Sequence, residues 1–331
     1  MKILLTGLTG NIGHEVARQL AGHQVMARVR DVTAAPVMEH VALLREDELD
    51  AARACEIIIH CAASTTFNAP LQTLREVNVE MTQNLLDFAV GCPALKRFVH
   101  VSTACVCGLD GGLIPENSLP EPSAFVNAYE QSKWEAEQRV LASGLPVCIA
   151  RLSIVAGSEV DGSVRKRGAL HHLLFWLWKG LIPMMPGTAE TPVDMISTEH
   201  AARGVVSAAL ADAAPPVIHV CAGGRSPRLG ELIQHVAQDF ASTSAGWRSG
   251  AIAAPEIVDA ETFALFEQTV QQSGDLLFQR VCTDSKSFLP GLLHSRVYAT
   301  ALAESLNPEP AYDWRKLSTL VTHHVLARHH A

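Results

Sequence analysis

Short apolar runs recur along the chain, each followed by a stretch of helical spacing. Ile3-Leu4-Leu5 is the first, and runs of the same kind predict strands near 2–6, 24–30, 41–44, 56–62, 97–103, 146–155 and 217–221. Between them, segments such as 14–20 and 128–141 place apolar residues at helical intervals. Strands alternating with helices imply a parallel sheet covered on both sides, an α/β doubly wound architecture. Beyond about residue 223 helices dominate, at 229–240 and 317–327, with a less regular stretch between. That change predicts two lobes, a sheet domain over 1–158 and 190–222 and a smaller, mostly helical substrate lobe over 159–189 and 223–331.

The most apolar segment, 169–186, is interrupted by His, Lys, Gly and Pro and is too short to span a bilayer. It reads as a core helix or as an apolar wall for a greasy substrate, with Phe175, Trp176, Trp178, Met184 and Met185 as candidates. A net charge of −8 and a pI near 6.0 argue against a nucleic-acid partner. Thr6-Gly7 ends the opening apolar run too early for a signal peptide. Most of the eight cysteines lie inside apolar strands without metal spacing, so buried thiols in a reducing cytoplasm are expected. Cys105 and Cys107 are expected on one strand face. The histidine pairs at 171–172, 323–324 and 329–330 have no acidic or cysteine partner at ligand spacing, so no metal site is expected.

Chemistry enters with two strings. Thr6-Gly7-Leu8-Thr9-Gly10-Asn11-Ile12-Gly13 lies between the first strand and the first helix. There glycines allow a tight turn and a close backbone approach, and a dinucleotide pyrophosphate can sit on the helix N-terminus. Downstream, Tyr129 and Lys133 stand four apart on a helical segment, hence on one face. A lysine there would lower the phenol's pKa and make it a usable acid or base. The strand at 97–103 ends in Ser102-Thr103, where a hydroxyl can donate to a carbonyl oxygen. Alternation predicts that only one of the two faces the site. The second strand ends in Arg28-Val29-Arg30 with no acidic residue at its tip. Arginine there suits a 2′-phosphate, so NADPH is favoured over NAD, with Arg30 the better candidate. Asp31 could instead form a local ion pair, and Glu46 or Asp47 could touch the adenine.

These strings resemble the extended short-chain dehydrogenase/reductases, a Rossmann-fold family, over residues 1 to about 222. Ser102-Thr103-Ala104-Cys105-Val106-Cys107-Gly108 is similar to the family's Ser-Ser/Thr-Ala-x-Val-Tyr-Gly, which places the catalytic hydroxyl on Thr103. The resemblance implies catalytic Thr103, Tyr129 and Lys133, with Asn78 supporting the active-site helix and a proton-relay water. It implies cofactor contacts from Gly7, Thr9, Gly10, Asn11, Ile12 and Gly13, and from Cys61, Ala62, Ala63 and Ser102. Leu152, Ser153 and Val155 match the turn beside the nicotinamide, although Leu152 stands where that turn usually has proline. Val101-Ser102-Thr103-Ala104, Tyr129 to Glu137 and Asp313-Trp314-Arg315-Lys316-Leu317 resemble the fatty acyl-CoA and carrier-protein thioester reductases.

The resemblance implies an NADPH-dependent reductase of a carbonyl group, in a thioester, aldehyde or ketone. Its substrate would be hydrophobic or acyl, free or carried on coenzyme A or a carrier protein. A sugar-type epimerase or dehydratase, a hydroxysteroid- or dihydroflavonol-like dehydrogenase, and a non-catalytic NADP sensor are the alternatives. A homodimer is compatible with the pattern.

Overall fold

The computed structural model describes residues 1–243, 254–286, 288–307 and 312–327. Its strands are β1 (Lys2–Thr6), β2 (Gln24–Arg28), β3 (Val41–Leu44), β4 (Ile57–His60), β5 (Arg97–Thr103), β6 (Gly112–Ile114), β7 (Val147–Leu152), β8 (Ile154–Gly157), β9 (Met184–Pro186), β10 (Met195–Ser197), β11 (Val217–Val220), β12 (Glu256–Val258) and β13 (Arg296–Tyr298). Seven form a parallel sheet in the order β11-β7-β5-β4-β1-β2-β3. The order reverses at β1, where β4 lies on one side and β2 on the other, and this opens a crevice beyond the strands' carboxyl ends. The expected doubly wound Rossmann sheet is therefore present.

The helices are α1 (Asn11–Gln19), α2 (Leu71–Arg75), α3 (Met81–Val90), α4 (Ala128–Ala142), α5 (Ala169–Trp178), α6 (Thr198–Leu210), α7 (Leu229–Thr243), α8 (Ala260–Gln272), α9 (Leu276–Ser285), α10 (Ala301–Leu306) and α11 (Trp314–Ala327). Alternation along β1 sends Ile3 and Leu5 to one face, where they pack with Val16 of α1 and Val205 of α6. Leu4 goes to the other face, against Leu85 and Phe88 of α3. The segment expected as one strand over 146–155 divides at Ser153. Its amide donates to Val220 O while the next, Ile154, donates to Asp194 O, so the chain leaves the main sheet and β8 pairs with β10. The apolar segment stops being helical at Trp178. Gly180 turns the chain with φ 67°, and Met184–Pro186 then pairs with β12.

The C-terminal region is largely helical, yet two pieces of it return to the sheet domain. Ala303 and Leu306 of α10 pack on the cluster that contains Ile3 and Val205, and β13 pairs with β6. This second return carries Arg296 and Tyr298 toward the crevice.

Helix α4 docks unusually. Its buried residues are Glu130, Ser132, Lys133, Ala136, Glu137 and Val140, so polar contacts and not an apolar stripe set its position. Arg151 of β7 meets Glu137 through Nη2 at 2.7 Å and Nε at 3.0 Å, both side chains being 0% exposed. Arg151 Nη1 also donates to Asn117 O at 3.0 Å. Removing one partner of such a pair strands the other in low dielectric. Glu137→Leu is expected to cost about 3–5 kcal/mol, read from the urea midpoint, and a second change, Arg151→Met, should recover most of that loss. Equal destabilisation of the single and double variants would contradict the role given to the pair.

Candidate active site

The glycine turn is built as its spacing requires. Gly7 has φ 82°, and Gly10 N donates to Gly7 O at 2.9 Å. A Cβ on Gly7 would lie 2.7 Å from Ala62 N, and one on Gly13 would lie 2.3 Å from Gly7 O. Helix α1 starts at Asn11 after Gly10, with no side-chain cap and no acidic residue in its first turn. Its leading amides are left for an anion, so this end fits a dinucleotide pyrophosphate. Gly10, Asn11, Ile12 and Gly13 line a cavity of about 420 Å³, whereas Gly7, Thr9 and Ala62 are not among its lining residues. Ala62 N instead donates to Thr6 Oγ1 at 3.2 Å. The Asn11 side chain is already engaged. Its Nδ2 donates to Lys166 O at 2.9 Å and its Oδ1 accepts from Lys166 N at 2.8 Å. That clamp lays Lys166, Arg167 and Gly168 along the cavity, a basic loop not singled out in the sequence.

At the tip of β2 the two arginines have different fates. Arg28 is paired with Glu46. Asp31 does not pair with an arginine, because it accepts from the Thr33 amide at 2.8 Å and its hydroxyl at 2.7 Å. Arg30 is exposed and makes no ion pair or hydrogen bond among the described residues.

Deeper in the cavity lie Cys61, Ala63, Ser102, Thr103, Tyr129, Lys133, Leu152, Ser153 and Val155. Ser102 and Thr103 both contribute to its wall, but the Ser102 Oγ is itself buried and has no hydrogen-bond partner, in keeping with alternation. Thr103 Oγ1 accepts from Cys105 N at 3.2 Å, which leaves its hydroxyl hydrogen available to the cavity. Cys105 and Cys107 belong to this turn and share no strand face. Burial pushes the Cys105 thiol up to about 12, away from redox chemistry. All eight cysteines are free thiols.

The Tyr129–Lys133 pair departs from expectation. Burial raises the phenol above its ordinary range, with Cys105 and Glu130 adding to the shift. Lys133 does not counter this, because its Nζ donates to Val101 O at 2.9 Å and lies 3.0 Å from His100 Nε2. Burial also pulls Lys133 down to about 8, against the raising influence of Glu137. Spacing put both groups on one face but could not tell that His100 would claim the ammonium. Tyr129 is held edge-on by Phe67, with ring centroids 5.1 Å apart.

Asn78 is absent from the cavity wall. It sits in a π-turn, Glu76–Glu80, where its Oδ1 accepts from Ser64 N at 2.7 Å and its Nδ2 donates to Ser132 Oγ at 2.9 Å. It thus ties the loop after β4 to α4. Asn78 O accepts from Thr82 Oγ1 at 2.7 Å. His171 Nδ1 accepts from Gly168 N, and no metal-ligating cluster occurs among the described residues. The pair 329–330 lies outside those residues.

Besides the basic loop, the wall residues Glu130, Arg296 and Tyr298 escaped sequence reasoning. Glu130 had a signal, an acid directly beside the tyrosine; Arg296 and Tyr298 had none. A smaller apolar hollow of about 60 Å³ adjoins the cavity through Leu170, Val193, Phe288 and Leu292. Helix α5 lines it with Leu173, Leu174 and Leu177, while Phe175, Trp176 and Trp178 pack elsewhere. Of the aromatic and methionine candidates only Met185 reaches it.

Residues 8–205, more than half of the chain, match the model of the family described as Male sterility protein, and the chain belongs to that family. It is an NAD(P)-dependent enzyme of the short-chain dehydrogenase/reductase type. It is 28% identical to a hybrid PKS-NRPS synthetase of an Acremonium species over 240 residues, 63% of this chain and 6% of the relative. Identity to L-2-aminoadipate reductase of Saccharomyces cerevisiae is 32% over 184 residues, 50% of this chain and 13% of that enzyme. The chain therefore spans a small part of these relatives. Among solved structures, the terminal R domain of the myxalamid PKS-NRPS pathway superimposes with a TM-score of 0.79 at 19% identity, covering 100% of this chain and 91% of that one. A thiolation-reductase di-domain of an archaeal non-ribosomal peptide synthetase gives 0.73 at 16%, covering 99% and 76%. At these identities the likeness is one of fold. No helix among the described residues is long and apolar enough to cross a membrane.

Glu130 supplies a pH test. Burial pushes its carboxyl up to about 7, against the opposing influence of Arg296. The folded state thus keeps a proton that the unfolded chain releases near its ordinary value of 4.5. Stability is undiminished below that value and is lost as pH rises toward about 7. Glu130→Gln should therefore stabilise the fold by about 1–3 kcal/mol at pH ~8 and by little at pH ~4.5, read from urea midpoints. An equal effect at both values would show that Glu130 is not held protonated.

Proposed function

We propose that the chain reduces an acyl thioester to an aldehyde, using NADPH, with Thr103, Tyr129 and Lys133 around the reacting carbonyl. The observation that carries this is a single cavity that joins the uncapped start of α1 to Thr103, Tyr129 and Lys133 and shares a wall, at Leu170, Val193, Phe288 and Leu292, with an apolar hollow. Such a cavity can hold a dinucleotide at the α1 end and an acyl group at the end beside the apolar hollow. NADPH is preferred because Arg30 is free at the tip of β2 while Asp31 is occupied with Thr33. Lys166 and Arg167 at the pyrophosphate end add further positive charge.

When bound, the reduced nicotinamide supplies a hydride to the carbonyl carbon. Thr103 donates its free hydroxyl hydrogen to the carbonyl oxygen as negative charge develops there. Tyr129 gives that oxygen its proton, a role suited to a phenol that burial keeps protonated. The hemithioacetal so formed collapses to aldehyde and thiol. Lys133, held by Val101 O and His100, replenishes the proton, and Asn78 acts as a positioning residue through Ser132. The thioester in place of a simple ketone is favoured by the thioester-reductase strings in the sequence and by relatives named as synthetases and an aminoadipate reductase. A substrate borne on a carrier protein or coenzyme A is part of the same reading.

The test supplies NADPH with a pantetheine acyl thioester and, separately, the matching aldehyde, a ketone and a sugar nucleotide. Thioester consumption with equimolar NADPH loss, thiol release and aldehyde seen by mass is expected. Turnover of the aldehyde or ketone alone would make the chain a simple carbonyl reductase. Isomerisation of the sugar nucleotide without net NADPH loss would make it an epimerase.

A further inference from the structure

The loop between β4 and α2 turns one ring inward. Ala63, Thr65, Thr66 and Asn68 are exposed, whereas Phe67 is half-buried and lines the cavity together with Tyr129. Its ring stands nearly perpendicular to the phenol, at 82° with centroids 5.1 Å apart. Both ends of the loop are tied to α4, the helix that carries Tyr129. At the start, Asn78 accepts from Ser64 N at 2.7 Å and donates to Ser64 O at 3.1 Å, and the same Nδ2 donates to Ser132 Oγ at 2.9 Å. Past the end, Arg75 of α2 donates to Glu135 of α4 at 2.6 and 2.7 Å. Phe67 is therefore fixed relative to Tyr129 from two sides.

The phenol needs such a neighbour. Among the described residues no hydrogen bond reaches its oxygen. The torsion that turns a tyrosine ring is soft and roughly two-fold, so packing alone sets the plane of this one. An edge-to-face aromatic pair at this separation is a favoured arrangement. Resting on the reductase reading, we propose that Phe67 is a positioning residue for Tyr129: its ring holds the phenol at one orientation and keeps water off it, so that the proton goes to the reacting carbonyl oxygen. A smaller side chain would open the space beside the phenol to solvent, through a loop whose neighbouring residues are already exposed. The groups that face the phenol are Cys105, from the turn after β5, and Glu130 of α4, and both add to burial in holding it protonated. Lys133 is turned to Val101 O and His100 and does not oppose them. Truncating Phe67 leaves all of these groups in place, so a change in the titration of the phenol reads the entry of water.

The experiment uses the full chain and compares the wild type with Phe67→Ala and Phe67→Leu. The protein has three tyrosines, so subtracting the phenolate absorbance of the matching variant that also carries Tyr129→Phe isolates the titration of Tyr129. In the wild type Tyr129 should stay protonated well above its ordinary value of 10.0, and Phe67→Ala should bring it down toward that value. With NADPH and a pantetheine acyl thioester, Phe67→Ala should lower kcat by about 10–100-fold with NADPH affinity unchanged. Phe67→Leu, which keeps apolar bulk without a ring, should recover part of both effects. Urea midpoints near that of the wild type show that the fold is kept. An unchanged titration of Tyr129 in Phe67→Ala, or an unchanged kcat, would overturn the proposal. If the wild type reduces no thioester, the reductase reading fails, and the titration alone then decides: a lowered value for Tyr129 supports the role of Phe67, and an unchanged one rejects it.

Discussion

The ion pair between Arg151 and Glu137 is the constraint on which the rest of this molecule depends. Helix α4 carries Tyr129 and Lys133, yet its inward face is mostly polar and offers little that the hydrophobic effect could use to choose a register. A directional contact has to choose instead. The guanidinium of β7 and the carboxylate of α4, both fully buried, do so at the centre of the helix. Asn78 to Ser132, Arg75 to Glu135 and Lys133 to Val101 O pin it at further points along its length. Sliding the helix by one turn would break all of these bonds inside a low-dielectric interior, so the position of the phenol relative to Thr103 is over-determined.

The same arrangement explains the electrostatics of the site. Buried polar groups here are shifted toward their neutral forms: Lys133 down to about 8, Glu130 up to about 7, His60 down to about 3. Burial is the leading cause in each case. His60 bridges Thr6 and Thr82 through its two ring nitrogens at 2.7 and 3.0 Å, so a neutral imidazole joins β1, β4 and α3. A low-dielectric interior next to a cavity lined by Thr103 and Tyr129 strengthens each hydrogen bond made to a developing oxyanion.

Much of this was legible in the pattern of residues, and the part that was not has a physical reason. The seven main-sheet strands follow from apolar runs, and the glycine turn follows from spacing between a strand and a helix, because both are local properties. Part of the cavity wall is non-local. Arg296 and Tyr298 reach the cavity on a three-residue strand whose partner, β6, lies far earlier in the chain at Gly112–Ile114, and no periodicity announces such a pairing. Lys133 lines the cavity with Tyr129, but its partner His100 comes from a strand whose histidines are indistinguishable in sequence from ordinary core residues. The split at Ser153 was likewise hidden, since nothing in the run 146–155 shows that its amides change acceptors midway.

The central claim is that Tyr129, fixed by α4 beside Thr103, is the proton donor of a carbonyl reduction. Its most direct test measures kcat with NADPH and an acyl thioester together with the dissociation constant for NADPH, in the wild type and in Tyr129→Phe. The account predicts a kcat lower by about 10²–10⁴-fold with NADPH affinity unchanged. Turnover that survives the loss of the phenol would contradict it.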